Sequence, residues 1–341
     1  MRPTFSIIAF TVLSGAGYGL WFLFGVLAWW PYCTSTGGEG APVLTRCVYP
    51  GILDTALMTG FVLVSVGLLS SVAHLGKPAR AWRALSQWRS SWLSREGVAA
   101  LLTLVPMALL LASLNLPAWR VATRSDYGAL DRLLSATHVL RSLGTLLALC
   151  AVATVFCTAN IYASLKPIRA WRNRFVTSGY LLLGLYSGAL LMWALATLPQ
   201  AWFAREMPFL LGSVVVLACI SAALKWLYWR DIDRLPPLDA GHATGLDAQG
   251  TVRSFEQPHT EENYLTHEMG FVLARRHSTK LRGITLITAF AAPAVLALLA
   301  LAIQASALAW IATLSGFTGL FVERWLFFAE AKHAVIGYYA R

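Results

Sequence analysis

Runs of about 20 apolar residues, each long enough to cross a ~30 Å hydrocarbon core as a helix, recur along the whole chain. They fall at Phe5–Trp30, Gly51–Ala73, Gly97–Leu116, Leu133–Ala163, Phe175–Leu198, Pro208–Tyr228, Ile284–Ile303 and Ser306–Phe328. Within lipid, every backbone polar group must be satisfied by the spanning element itself, which leaves only helices and closed barrels. Barrel strands are short and alternate in polarity, whereas these runs are long and continuous. The sequence therefore predicts an all-α polytopic membrane bundle of about eight transmembrane helices, a single integral membrane domain over residues 1–341. Composition agrees: 13% of residues are charged, against about 25% in a typical soluble domain. Phe5–Trp30 is too long and too aromatic for a cleaved signal segment, and no small-residue cleavage site follows it.

A net charge of +11 would fit nucleic acid if the basic residues formed one patch. They sit instead in short connections between apolar runs, so nucleic acid is excluded as a partner. Lys77, Arg80, Arg83, Arg89 and Arg95 follow the second run; Lys166, Arg169, Arg172 and Arg174 follow the fourth. The sixth-to-seventh connection adds Arg230, Arg234, Arg253, Arg275, Arg276, Lys280 and Arg282, while the opposite connections carry fewer arginines, partly offset by acids. The positive-inside rule then places both termini and the basic loops in the cytoplasm. Trp29, Trp30, Trp119, Trp202, Trp226 and Trp229 stand near run ends, where interfacial aromatics belong. The cytoplasmic connection 229–280 begins as a linker with Pro236, Pro237 and Gly241. It turns amphipathic around Tyr264–Leu273, which fits a helix lying on the membrane or a partner as well as a solvated excursion.

None of the five cysteines forms a Cys-x-x-Cys pair, which argues against iron–sulfur or zinc ligation in this chain. Cys33 and Cys47 share the first outward loop, as a disulfide or as two free thiols; Cys150, Cys157 and Cys219 read as packing residues. His74, His138 and His333 lie at run edges rather than facing one another inside a bundle, so haem is not expected, nor any metal.

Ionisable groups within membrane spans are costly and mark candidate sites. Here they are Asp54, His74, Glu96, Arg141, Glu323, Arg324 and Glu330. Asp54 reads as a cap or solvated group, and Arg141 as a partner of Asp131 or a snorkelling side chain. Glu323 and Arg324, adjacent and deeper, fit an ion pair with other helices. His74 and Glu96 bracket a loop that Gly76 and Pro78 open; Ser94 is a reasonable N-cap for the third helix, with Glu96 in its first turn. An imidazole titrates near neutral pH, and burial can bring a carboxyl into that range. Such a pair suits a two-electron, two-proton quinone reaction, one group hydrogen-bonding a ring oxygen while the other moves a proton. Taken alone, the pair reads more readily as capping residues in a basic loop.

Three stretches, HLGKPARAW…SSWLSREG from His74, IYASLKPIRAWRN at Ile161–Asn173 and ERWLFFAEAKH at Glu323–His333, resemble the DmsC-type membrane-anchor family of dimethyl sulfoxide reductase. The resemblance implies an anchor without haem that exchanges electrons with a quinone, ubiquinone or menaquinone. It also implies two soluble partners, an iron–sulfur subunit and a molybdopterin catalytic subunit, at a bacterial inner membrane. It carries quinone binding onto His74 and Glu96, with Gly76 and Arg80 in the same loop. Trp82 replaces a phenylalanine frequent in the family, and Glu323 and Arg324 lie in the third matching motif. The stretch Glu261–Lys280 resembles anchors of quinone-linked sulfite-oxidising enzymes of this family, which with the charge pattern favours sulfite oxidation and quinone reduction at the cytoplasmic face, with cytoplasmic partners. A menaquinol-oxidising sulfoxide reductase anchor is the alternative within the family. Outside it, intramembrane Arg141, Glu323 and Arg324 would fit a secondary transporter, though inverted repeats are not evident; a passive anchor without a quinone site is the blandest reading.

Overall fold

A computed structural model describes residues 4–29, 50–73, 77–123, 137–198, 208–236, 240–246, 248, 250–252, 255–256, 277–303 and 305–339. The long helices are α1 (Phe5–Leu27), α2 (Pro50–Val72), α3 (Trp92–Thr123), α4 (Thr137–Ala163), α5 (Arg174–Ala196), α6 (Pro208–Asp233), α7 (Ser278–Ile303) and α8 (Ala307–Ala329). Seven of them are long and apolar enough to cross a membrane by length and composition. The eighth, α8, is 23 residues long and carries Glu323 and Arg324 within its apolar sequence. Among the described residues no strand forms; one isolated antiparallel bridge joins Ile168 to His333.

The helices pack as two rings of four. In the first, α1 lies against α2 and α4, and α3 against α4; in the second, α5 lies against α6 and α8, and α7 against α6 and α8. The rings meet along α1 and α5, the two most enclosed spans. With no hydrophobic force between helices in lipid, close approach depends on small side chains. Gly15 and Gly19 of α1 meet Gly184 and Gly188 of α5: a Cβ on Gly19 would fall 1.8 Å from the Gly184 carbonyl oxygen, and one on Gly188 would fall 2.3 Å from the Gly19 carbonyl carbon.

Many hydroxyls within the spans are spent locally. Thr11, Ser14, Thr103, Thr154 and Ser187 each donate to a carbonyl one turn back. Pro293 deprives α7 of one amide donor, and the helix loosens into a π turn over Leu286–Ala291 immediately before it. The Ala289 carbonyl, four residues before the proline, accepts a hydrogen bond from the Tyr186 hydroxyl of α5. Gly319 of α8 lets α7 come close at the same place, since a Cβ there would lie 2.2 Å from the Ala289 nitrogen.

Two helices begin earlier than their apolar runs. α3 starts at Trp92 rather than Gly97, and α7 at Ser278 rather than Ile284, because a helix extends into polar sequence where its first turn faces the interface. The amphipathic stretch expected around 264–273 and the Cys33–Cys47 pair lie outside the described residues.

Candidate functional site

The chain enters α3 through an exposed 3₁₀ segment, Pro78–Gln87, which buries none of its residues. Arg80 is exposed there, and Trp82 is 67% exposed with the Arg83 guanidinium over its ring at 5.5 Å. Arg89 lies over Trp88 at 5.5 Å and Arg95 over Trp92 at 4.4 Å. Arg95 ties the segment to the helix, donating to the Trp88 carbonyl at 3.1 Å and the Arg89 carbonyl at 2.6 Å. Ser94, expected to cap α3, lies in its first turn instead and donates to the Ala84 carbonyl. Leu85 lies against Gly97. The segment is thus pinned over the start of α3, and the next inward residue is Glu96, only 5% exposed.

Glu96 accepts a hydrogen bond from the Thr158 hydroxyl of α4. Thr158 stands one turn beyond Thr154, whose hydroxyl meets that of Thr103 at 3.2 Å. Tyr18, Tyr162 and Tyr180 all lie within electrostatic reach of the Glu96 carboxylate. Tyr162 is the hub of an aromatic cluster, with Trp171 at 5.2 Å, Phe328 at 5.4 Å and Tyr180 and Phe327 at 5.7 Å. The Trp171 indole N–H donates to the Phe327 carbonyl at 3.0 Å, locking the α4–α5 loop to the end of α8.

On the far side of Tyr180 the layer becomes ionic. Arg324 lies 4.4 Å from the Tyr180 ring centroid and donates to both oxygens of Glu323 at 2.5 and 2.9 Å. Glu323, with no exposed side-chain surface, also receives Lys225 of α6 at 2.5 Å. Lys225 lies 4.1 Å from the Tyr228 ring and 5.3 Å from Trp229. At the adjoining surface Arg282 bridges Asp233, at 2.6 and 2.9 Å, to Glu330 at 2.9 Å. Burial pushes the Glu330 carboxyl above the ordinary carboxylate range, and the Arg282 guanidinium offsets this in part.

A cavity with about 30 Å³ of room for water joins the two sides, enough for about one or two molecules. Thr158, Tyr18, Tyr180 and Arg324 line it. Neither the Tyr18 nor the Tyr180 hydroxyl has a hydrogen-bond partner in good geometry among the described residues. Thr154, beside Tyr18, already donates to the Cys150 carbonyl; next to Tyr180 stand the Tyr162 ring, stacked at 5.7 Å, and the Arg324 guanidinium, which faces the Tyr180 ring while donating to Glu323.

The structure therefore brings Glu96, Glu323 and Arg324 into one buried layer and leaves Arg80 and Trp82 on the exposed segment beside it. His74 and Gly76 lie outside the described residues. The residues that sequence reasoning missed are Lys225, Thr158, Tyr18, Tyr162 and Tyr180. Only Lys225 carried a usable signal, as a cation within an apolar run that contains no acid. Several other expectations change. Asp54 lies one turn inside α2 rather than at its cap; half-buried, it accepts from Asn115 of α3 at 2.8 Å. Arg141 lies over the exposed Trp29 ring at 5.5 Å, as a side chain reaching outward would, and Asp131, its other expected partner, lies outside the described residues. Cys219 is exposed on the outer face of α6 rather than packed inside. His333 accepts from the Val335 amide at 3.1 Å through Nδ1 and so begins the 3₁₀ turn that follows. Among the described residues no three His, Cys, Asp or Glu side chains group as a metal site.

Chemically, this is a small chamber that two phenols and a fixed arginine help to line, joined through Thr158 to a buried carboxyl group that lies beneath a basic segment at the start of α3. It is equipped to hold and move protons close to one membrane face. The chain matches the family model described as the DMSO reductase anchor subunit over residues 1–329. It is 31% identical over 345 aligned positions to a sulfite dehydrogenase subunit of Allochromatium vinosum, an alignment covering 99% of each chain. A model match of that extent, together with a full-length relative, shows that the chain belongs to the DMSO reductase anchor subunit (DmsC) family.

Proposed function

We propose that this chain is the quinone-reactive anchor of a molybdenum and iron–sulfur oxidoreductase in a bacterial inner membrane, and that the complex oxidises sulfite and reduces quinone at the cytoplasmic face. One observation carries the reading: a buried carboxylate, Glu96, held by Thr158 directly beneath an exposed basic segment. The segment and the turn after it would offer Arg80, Arg83 and Arg89 to an iron–sulfur partner, and electrostatic complementarity of that kind guides docking. The carboxyl lies just inside, where a proton must arrive or leave. The full-length likeness to a sulfite dehydrogenase subunit supports the substrate, and the basic loops support the cytoplasmic side.

The balance is simple. Sulfite and water would give sulfate, two protons and two electrons in the partner enzyme, where a molybdenum cofactor would supply the oxidation, and a quinone would take up two electrons and two protons. In this chain Glu96 would move a proton at its carboxyl oxygen while Thr158 holds that oxygen in place. His74, assigned by family resemblance, would hydrogen-bond the ring with Gly76 and Arg80 beside it. Arg324, fixed by Glu323, adds a permanent positive field behind the chamber.

The test uses membranes containing the whole complex. Sulfite-dependent reduction of decylubiquinone is expected in the native complex and lost in His74→Ala and Glu96→Gln, while sulfite-dependent reduction of an artificial dye persists. Unchanged quinone turnover in both variants would overturn the site. The family description favours a second reading, a menaquinol-oxidising sulfoxide reductase anchor; menaquinol-dependent sulfoxide reduction without sulfite activity would select it.

A further inference from the structure

We propose that the apolar groove between α1, α4 and α5 is the seat through which a quinone enters from the bilayer, with one ring oxygen received by the Tyr18 hydroxyl. This rests on the quinone reading above and gives the quinone an entrance and a first station: Tyr18 stands about 18 Å further along α1 than Ser6, which receives the Ser70 hydroxyl of α2, so the His74 contact proposed above belongs to a later position of the ring.

The groove has a volume of about 340 Å³ and is lined by Phe22, Val152, Leu181 and Leu185, with Gly19 at its back. Ligand pockets begin at about 300 Å³ and are mostly apolar with a few placed polar groups. Its rim includes Val152 and Ser178, both exposed on the outer surface of the bundle, so the groove opens where the spans face lipid. Its inner wall is shared with the buried chamber: Tyr18, Val155 and Gly184 line both cavities. The separation between lipid-facing groove and buried chamber is thus one side-chain layer thick. The Gly19–Gly184 approach explains why the wall is so thin, since two backbones meet there with no side chain between them.

The chemistry at that wall selects the occupant. Tyr18 is 3% exposed, and its hydroxyl lacks a hydrogen-bond partner in good geometry among the described residues. Buried hydroxyls are rarely left so. A phenol that needs an acceptor, at the end of an apolar slot open to lipid, matches a flat ring bearing carbonyl oxygens on an isoprenoid tail. A phospholipid acyl chain would fill the slot but offer the phenol nothing. Behind Tyr18 the chamber leads to Thr158 and hence to Glu96, so a ring seated here has the proton-handling carboxyl on its polar side.

The test is photolabelling of the full chain in nanodiscs with a ring-azido ubiquinone, with decylubiquinone as competitor and the adducts mapped by mass spectrometry. Competable label is expected on α4 around Val152 and on α5 around Leu181–Leu185. Val152→Trp and, independently, Ser178→Trp fill the mouth from its lipid-facing rim and should cut this label at least fivefold. Tyr18→Phe should raise the KM for decylubiquinone in the complex by about fivefold, the loss of one hydrogen bond. Competable label confined to residues 77–95, with α4 and α5 clean, would overturn the groove and leave the quinone reading standing. Label on α4 and α5 displaced by added phospholipid but not by decylubiquinone would make the groove an acyl-chain site and overturn the proposal. No competable label anywhere would overturn both.

Discussion

The ammonium of Lys225 on α6 lies 2.5 Å from the carboxylate of Glu323 on α8, and the two side chains are 4% and 0% exposed. Arg324 holds the same carboxylate from the other side. One acid thus answers two bases inside a lipid-facing bundle. Removing one member of a buried pair strands a charge and costs about 3–5 kcal/mol. Glu323→Ala strands two and should abolish accumulation of folded protein. Lys225→Met leaves Glu323 with Arg324 and should only lower the thermal midpoint. Yields and unfolding midpoints in nanodiscs give the order, and equal loss in the two variants would contradict it.

Thr158 holds Glu96 through a single hydroxyl. Thr158→Val keeps the shape and deletes the donor, and should slow quinone-linked turnover of the complex by about tenfold, the scale of one hydrogen bond to a charged group. Thr158→Ser should restore most of it. Equal rates in the valine and serine variants would show that the hydroxyl does not matter.

The α1–α5 crossing depends on Gly19 and Gly188 having no side chain. Gly19→Ala and Gly188→Ala should each prevent assembly, because the added carbon meets backbone that cannot yield. Gly15→Ala, with nothing within 4 Å of its Cβ position, should be silent. Detergent-stable yield separates the two outcomes.

Glu330 titrates above the ordinary carboxylate range because burial disfavours its charge more than Arg282 restores it. The folded chain therefore loses stability as pH rises from the unfolded value through the raised folded value. Glu330→Gln removes that loss. The variant should match the native chain at about pH 4, near the unfolded glutamate value, and exceed it in thermal midpoint at alkaline pH; a benefit confined to acid pH would reverse the sign.

The bundle was legible in the sequence because lipid demands unbroken apolar runs and nothing else produces so many. Helix starts were less so, since Trp92–Glu96 and Ser278–Gly283 are polar enough to look like loop while still completing helical turns. Glu323 and Arg324 announced a buried ion pair, and Lys225 signalled itself as a cation in an apolar run without acids, but the Trp226, Tyr228 and Trp229 that follow it mask that signal as interfacial until α6 and α8 are side by side. Tyr18, Tyr162 and Tyr180 gave no sign, because a tyrosine in an apolar run reads as packing. Their role arises only where α1, α4 and α5 converge, and no spacing along one helix encodes that.

The polar layer is confined to one end of the bundle. Glu96 and Tyr180 stand near the starts of α3 and α5, and Thr158, Lys225 and Glu323 near the ends of α4, α6 and α8, and their mutual contacts bring those ends together. Each buried charge lies within about two turns of that end. A full charge carried across the whole membrane exchanges about 2.3 kcal/mol with every 100 mV of potential, but charges held this close to one boundary traverse little of the field. A quinone served from this layer would take its electrons and its protons from the same compartment. Its turnover would neither build voltage nor be slowed by it, so the partner enzyme could discharge electrons at the same rate into an energised membrane and a collapsed one.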